Sequence, residues 1–196
     1  MTRQPDDTQL SAMTARIVLL NGVSSVGKGS VAKALQKIAS RPMLHVQMDA
    51  FLEMLPAAMF GAPEGYVFET TLRDGKPVTS ITSGLVLERV MVGMRGAVAA
   101  LAEAGSDVIV DEVTWEPETL ADYRRRLAGF EFHLVALRAP LEVIEQRERQ
   151  RGDRDLGLAR WQYERMHVGM AYDLALDTAL ATPKEIAAAI KSAVGL

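Results

Sequence analysis

The stretch IVLLNGVSSVGKGS, residues 17–30, is an apolar run that ends in a glycine-rich turn carrying one lysine. The spacing of Gly22, Gly27 and Lys28 matches the pattern G-x-x-x-x-G-K of a phosphate-binding loop. Such a loop follows a buried strand, directs backbone N–H groups into one concavity and adds the positive end of a helix dipole. The stretch therefore predicts a strand, a phosphate site and a helix in succession. The alternative is a plain strand–helix turn with a solvent-facing lysine.

The residue after Lys28 departs from this pattern, which has Ser or Thr there to bind Mg²⁺. The chain has Gly29 instead, and a hydroxyl group arrives one residue later with Ser30. Because neighbouring helical residues lie about 100° apart around the axis, we expect Ser30 to reach a metal ion through water, or to contact a phosphate. The predicted nucleotide-binding residues of the loop are Gly22, Val23, Ser24, Ser25, Val26, Gly27, Lys28, Gly29 and Ser30.

The composition limits the classes of partner. The 196 residues carry a formal net charge of −3, which argues against binding to a nucleic acid or to a membrane surface. The chain has no cysteine, which suits a reducing cytoplasm. The most apolar long stretch, residues 84–104, is interrupted by charges, so it predicts an amphipathic helix rather than a membrane span. The polar residues 1–14 are interpreted as a disordered lead-in rather than a signal peptide.

Strand and helix patterns alternate along the rest of the chain, which predicts a parallel sheet covered by helices on both faces. The predicted strands are residues 16–20, 43–48, 107–113, 130–137 and 174–178. The predicted helices are residues 28–39, 50–59, 84–104, 117–127, 140–151, 157–171 and 183–194. The fold class is therefore α/β, a P-loop kinase-like three-layer sandwich with a five-stranded parallel sheet, formed by residues 15–196 as one domain. Right-handed crossovers bring the carboxyl ends of all five strands to one edge, where ligands bind.

Two segments are predicted to stand beside that edge. Residues 65–81 alternate in character around Asp74-Gly75, a dipeptide that favours a two-residue hairpin turn. Residues 150–160 are predicted to form a small lid. The hairpin and the helix predicted to begin at Ala50 would form the acceptor-side wall of a site at this edge.

The class of nucleotide protein follows by exclusion. A GTPase needs an Asn-Lys-x-Asp element to read guanine, yet Asn21 is the only asparagine in the chain. The His-Arg-Asp loop of protein kinases does not occur either. A small-molecule or nucleotide kinase remains, in which catalysis depends mostly on positioning and charge stabilisation.

Asp49 is the candidate general base. It follows the second predicted strand, so its carboxylate would lie at the carboxyl edge, where it could accept the proton of an acceptor hydroxyl group. The alternative is that Asp49 caps the helix predicted to begin at Ala50. The two roles are compatible.

The strand VIVDEV, residues 108–113, resembles a Walker B element. Asp111 and Glu112 are adjacent, so a strand directs their side chains to opposite faces and only one can face a magnesium ion. We favour Asp111, which directly follows the apolar run. A solvated strand end is the alternative.

The helix after the fourth predicted strand carries Arg147 and Arg151, four residues apart, and Arg154 follows three residues later, so that all three would share one helix face. A stripe of guanidinium groups aimed at the edge could bind phosphates and neutralise the charge that develops during transfer. We assign Arg147 and Arg151, with Lys28, to catalysis and Arg154 to nucleotide binding. A charge-rich helix is otherwise a solvated face.

These pieces together resemble the chloramphenicol phosphotransferase family of phosphate-loop kinases, over about residues 16–190. The likeness rests on LLNGVSSVGK, MDAFLEMLP, the Asp-Gly hairpin, VIVDEV, ALRAPLEVIEQRERQRGDR, GLARWQYERMH and YDLALDT. It implies ATP- and Mg²⁺-dependent phosphorylation of a hydroxyl group on a small molecule, with Asp49 as the base and the arginines as lid contacts. Chloramphenicol or a related antibiotic is the leading acceptor, which would connect the protein with antibiotic resistance. The chain departs from the family at Gly29, where the family typically has a metal-binding Ser.

Two alternatives remain open at this stage. One is a nucleotide, sugar or shikimate-type metabolite kinase on the same scaffold. The other is an ATP-binding sensor or toxin-like module without a dedicated acceptor. The oligomeric state is also open, a homo-oligomer included.

Overall fold

The computed structural model describes residues 14–152 and 155–196. Five parallel strands form the central sheet, namely β1 (Arg16–Asn21), β2 (Met43–Gln47), β5 (Asp107–Glu112), β6 (Glu131–Arg138) and β7 (Leu174–Asp177). Their order across the sheet is β2-β5-β1-β6-β7. The predicted five-stranded parallel sheet is confirmed, and the strand of the phosphate loop lies at its centre.

Helices cover both faces of this sheet. Within the described residues they are α1 (Lys28–Ile38), α2 (Met48–Leu52), α3 (Leu85–Glu103), α4 (Pro117–Arg126), α5 (Leu141–Arg151), α6 (Leu158–Tyr163) and α7 (Pro183–Val194), with a 3₁₀ turn at Ala57–Met59. No helix in this part of the chain is both long and apolar enough to cross a bilayer.

Alternation along β1 sends its side chains into two separate cores. Val18 and Leu20 pack in the layer of α1, α5 and α7. Ile17 and Leu19 pack in the layer of α3 and α4 on the opposite face. The residues of β1 are buried along the whole strand, which explains why its sequence is a continuous apolar run and confirms the three-layer arrangement.

A separate two-stranded antiparallel hairpin stands beside the sheet, formed by β3 (Tyr66–Arg73) and β4 (Lys76–Ser83). Its turn residues Asp74 and Gly75 have φ values of 54° and 74°, as a type I′ turn requires. The predicted excursion at residues 65–81 is therefore a hairpin with the predicted turn.

The hairpin is attached to the segment that joins α5 to α6. The Thr79 backbone N–H donates to Gly157 O (3.2 Å) and the Thr79 hydroxyl donates to Leu156 O (2.7 Å). Gly157 has φ +92°, and a Cβ atom there would lie 2.3 Å from Pro77 O. Only glycine permits this backbone approach, so β4 and the predicted lid are held together.

Two helix predictions are wrong in extent. The helix expected at residues 50–59 begins instead at Met48 and ends at Leu52. A continuous helix to residue 59 is disfavoured because Pro56 disfavours helical backbone in Leu55 and lacks an N–H group. The helix expected at residues 157–171 is only α6, since His167 further along has a left-handed φ of 69° that a continuous helix does not allow.

Candidate active site

The phosphate loop turns between β1 and α1 through left-handed backbone. Ser25 has φ 63° and Gly27 has φ 105°, and a non-glycine residue in this conformation is uncommon outside functional sites. Lys28 Nζ donates to Gly22 O (3.0 Å) and Val23 O (3.2 Å). The Lys28 ammonium group is therefore bonded to the start of the loop in which a phosphate would bind.

Two serine hydroxyl groups of the loop indicate that it binds a ligand. The Oγ atoms of Ser24 and Ser25 are buried and have no hydrogen-bond partner among the described residues, and both residues line the cavity above the loop. Buried hydroxyl groups are normally hydrogen-bonded. A phosphate oxygen in this cavity would supply the missing acceptor.

Asp111 lies beside the first turn of α1. Its Oδ1 atom is 3.8 Å from Lys28 Nζ, and its Oδ2 atom is 3.6 Å from His45 Nε2. A Cβ atom built on Gly29 would lie 3.3 Å from Asp111 Oδ2. The absent side chain at Gly29 thus leaves room for this carboxylate, while Ser30 is exposed at the rim of the same cavity.

Glu112 faces the other way. Its carboxylate is buried and accepts a hydrogen bond from the Tyr123 hydroxyl group. Burial raises the pKa of Glu112 to about 7, and the hydrogen bond from Tyr123 opposes part of this rise. The structure therefore brings Asp111, and not Glu112, to the phosphate loop.

Asp49 lies in the first turn of α2, directly after β2. The N-cap residue is Gln47 and makes no side-chain cap hydrogen bond, so the alternative that Asp49 caps a helix starting at Ala50 is wrong. The Asp49 side chain is 48% exposed, and its Oδ2 atom lies 4.0 Å from an Arg151 nitrogen. The carboxylate is accessible to a ligand from the open edge.

The arginines of α5 have different environments. The Arg147 guanidinium donates to Val26 O (3.2 Å), to the Thr178 hydroxyl group (2.9 Å) and to Thr178 O (2.7 Å). Arg147 therefore ties the phosphate loop to the connection between β7 and α7. Arg151, at the end of α5, lies beside Asp49 instead. Arg154 lies outside the described residues.

Two cavities meet at this edge. The first, of about 900 Å³, extends from the phosphate loop past Asp111 and Arg147 to the residues that follow β7. The second, of about 690 Å³, lies between α2, the hairpin and the connection after α5. Asp49 and Arg151 line both cavities. One carboxylate and one guanidinium group thus stand at their junction.

Several residues of the site were not predicted. Gln162 Oε1 accepts from Ser24 N (2.7 Å), and the Thr178 hydroxyl group donates to Val26 O (2.8 Å). Buried Glu148 accepts from Gly157 N (2.9 Å) and Ala159 N (2.8 Å), which orders the start of α6. Glu148 could have been suspected as an acid inside an arginine-rich helix. Gln162 and Thr178 lie in the motifs GLARWQYERMH and YDLALDT, but neither motif indicated a contact with the phosphate loop.

Comparison with known proteins places this geometry in a family. The family described as "Chloramphenicol phosphotransferase-like protein" matches residues 15–195 of this chain. The chain belongs to this family. A Mycobacterium tuberculosis (strain H37Rv) protein named "Putative O-phosphotransferase" is 32% identical over 177 residues, which cover 88% of this chain and 79% of that protein. The family resemblance inferred from the motifs is confirmed, and the chain is a kinase-like member of an O-phosphotransferase family.

Solved structures support the fold. The chain is similar to the APS kinase CysC of Mycobacterium tuberculosis in complex with AMPPNP and APS, with a TM-score of 0.66, 18% identity and coverage of 93% of this chain and 99% of the other. It is also similar to the Deinococcus radiodurans tunicamycin resistance protein, with a TM-score of 0.65, 20% identity and coverage of 93% and 96%. A sugar kinase from Janibacter sp. HTCC2649 has a TM-score of 0.65 at 18% identity, over 92% of this chain and 95% of that one. These likenesses establish a P-loop kinase fold.

Proposed function

We propose that this protein is an ATP-dependent O-phosphotransferase that acts on a hydroxyl group of a small molecule, with chloramphenicol or a related antibiotic as the leading acceptor. One observation carries the proposal. Asp49 and Arg151 line both the cavity of the phosphate loop and the cavity beside the hairpin. A phosphoryl group that passes between two ligands must cross such a junction, and a base is needed there.

The first cavity suits a nucleoside triphosphate. Its loop offers backbone N–H groups, the Lys28 ammonium group and the buried hydroxyl groups of Ser24 and Ser25. Arg147 lines the same cavity beside Thr178, where it would contribute positive charge next to the loop. These residues would hold the phosphates. The adenine base of the nucleotide would then lie against the connection after β7.

The residues present also fit Mg²⁺. Such an ion is usually bound by one or two carboxylates together with waters and substrate phosphates, and Asp111 supplies a carboxylate beside Lys28. Ser30 would contribute through water from the rim of the cavity. When bound, the ion would neutralise charge on the phosphate oxygens.

Asp49 performs the proton transfer in this proposal. Its carboxylate accepts the proton of the acceptor hydroxyl group while the acceptor oxygen bonds to the γ-phosphorus. The bond from that phosphorus to the β,γ-bridging oxygen breaks, and ADP leaves with the electron pair. Arg151, beside Asp49, stabilises the negative charge on the transferred group.

The substitution Asp49→Asn tests this assignment. We expect nucleotide binding to be retained and the transfer rate to fall by about 10²–10⁴-fold, the usual contribution of a general base. The rate is read as the mass gain of the acceptor, and nucleotide affinity by calorimetry. Transfer at nearly the wild-type rate would contradict the role of Asp49.

A screen of acceptors separates this proposal from its rivals. Amphenicols, nucleoside monophosphates and sugars are each incubated with labelled ATP and the wild-type protein. Phosphorylation of a metabolite but not of amphenicols would indicate a metabolite kinase. Tight ATP binding without turnover on any acceptor would indicate a sensor module.

A further inference from the structure

The second cavity has an aromatic wall. Phe60, Tyr66 and Phe68 line it, and their rings meet edge to face, with centroid distances of 5.0 Å for Phe60–Tyr66 and 5.3 Å for Tyr66–Phe68. Tyr66 is buried, whereas Phe60 is 51% and Phe68 is 38% exposed. Exposed aromatic surface inside a concavity favours a ligand with a flat apolar group.

Main-chain hydrogen bonds connect the segments that carry this wall. Phe60 and Tyr66 form a β-bridge, and Gly61 N donates to Tyr66 O (2.9 Å). At the base of the hairpin, Gly84 N donates to Gly65 O (2.7 Å). These bonds fix the backbone positions of Phe60 and Tyr66 relative to the base of the hairpin.

Among the residues that the structure describes, the net charges that line the two cavities differ in sign. The second is lined by the carboxylates of Asp49, Glu53 and Asp155 against the single guanidinium group of Arg151, among the residues that the structure describes. The first is lined by Lys28, Lys33, Arg147 and Arg151 against Asp49, Asp111 and Glu185. The positive cavity suits phosphates, whereas the negative one disfavours an anionic ligand.

We propose that the second cavity favours acceptors that carry both a flat apolar group and an amino group over neutral amides such as chloramphenicol, and that it discriminates against anionic acceptors. The flat group packs on Phe60 and Phe68, and the ammonium group lies near Glu53 and Asp155. Its hydroxyl group then lies at Asp49. The claim that this ligand is the acceptor rests on the proposed function. The claim that the cavity binds such a ligand in preference to an anion does not. Phosphorylated or carboxylated metabolites are poor ligands of this cavity.

The test uses three derivatives of one nitrophenyl aminodiol that differ only at nitrogen, namely the free amine, the N-acetyl amide and the N-succinyl amide. Their charges are positive, neutral and negative. Dissociation constants are measured with the wild-type protein and a non-hydrolysable ATP analogue. We expect affinity to fall in that order, by about tenfold from the amine to the succinyl derivative at low salt, and the difference to shrink in high salt because the carboxylates are exposed to solvent.

Two sets of variants identify the groups responsible. Glu53→Gln with Asp155→Asn is expected to abolish the order of affinities while leaving the neutral derivative unchanged. Phe60→Ala with Phe68→Ala is expected to weaken all three derivatives about equally. The matched control is Glu69→Gln, an exposed acid on β3 that does not line the cavity, and it should preserve the order.

Equal affinities, tighter binding of the succinyl derivative, or no binding of any derivative at millimolar concentration would overturn the inference. The same derivatives, incubated with ATP, separate it from the proposed function. Phosphorylated product without an effect of charge would refute the inference alone. The expected order of binding without any product would refute the phosphotransferase function of this site alone.

Discussion

The substitution Gly29→Ala tests why the phosphate loop lacks the usual hydroxyl residue. A Cβ atom at Gly29 would lie 3.3 Å from Asp111 Oδ2, so the carboxylate must move by a few tenths of an ångström. A misplacement of about 1 Å in a catalytic site lowers the reaction rate on the order of 100-fold, and a shift about a third as large corresponds to about a fivefold effect. We therefore expect the Mg²⁺ concentration for half-maximal rate to rise about fivefold.

The fold itself should tolerate this substitution. Gly29 lies in α1, where alanine is favoured over glycine by about 1 kcal/mol. Thermal unfolding should therefore occur at an equal or slightly higher temperature, which separates the metal effect from misfolding. The initial rate is measured against free Mg²⁺ at saturating ATP and acceptor.

Two further variants make the result decisive. Gly93→Ala, on α3, introduces a Cβ atom with nothing within 4 Å and should leave the Mg²⁺ requirement unchanged. Gly29→Ser adds the same Cβ atom together with a hydroxyl group that can bind the metal, so its requirement should fall below that of Gly29→Ala. An unchanged requirement in Gly29→Ala would refute the argument that Gly29 makes room for Asp111.

The remaining predictions concern the contact between β4 and Gly157 and the stability of the fold. Gly157→Ala places a Cβ atom 2.3 Å from Pro77 O at φ +92°, a strain of at least about 1–3 kcal/mol, and should raise the KM of the acceptor and speed amide exchange in β4. Asp107→Asn removes the carboxylate that accepts from Arg16 Nη2 (2.8 Å) and should lower the free energy of unfolding by about 3–5 kcal/mol in urea titrations. Burial lowers the pKa of His167 to about 4, so between about pH 6.5 and 4 the unfolded chain binds a proton that the folded chain does not. Over this pH interval, acid should therefore lower the free energy of unfolding of the wild type by about 1–2 kcal/mol more than that of His167→Asn, after allowance for the partial exposure of His167. Parallel pH profiles of the two proteins would contradict this.

The helix boundaries near the site show where sequence reasoning was insufficient. The position of Asp49 after β2 was predictable, because a polar residue directly follows an apolar run. That α2 begins at Met48, so that Asp49 is a first-turn residue and not a cap, depends on Gln47 remaining extended with φ −107° and ψ 130°. Local propensity does not decide such a one- or two-residue shift.

The choice between Asp111 and Glu112 was predictable in part. Alternation along a strand shows that only one of them can face the loop. Which one does so depends on the packing of α4, since Tyr123 meets the Glu112 carboxylate on the face away from the loop. The roles of Gln162 and Thr178 at the loop likewise depend on contacts across more than 130 positions of the chain, with sequence separations of 138 and 152.

By itself, the sequence determined the parallel sheet, the phosphate loop, the hairpin turn and the family, because these follow from local periodicity, glycine spacing and short motifs. Only the tertiary structure decided that Asp111 lies beside Gly29, and that Asp49 and Arg151 stand between two cavities whose described lining residues differ in the sign of their net charge. The physical reason is that cavities and close contacts form between elements distant in sequence, whereas a motif reports only its own segment. The glycine after Lys28 thus lies next to a carboxylate 82 positions further along the chain, as the numbering of Gly29 and Asp111 gives.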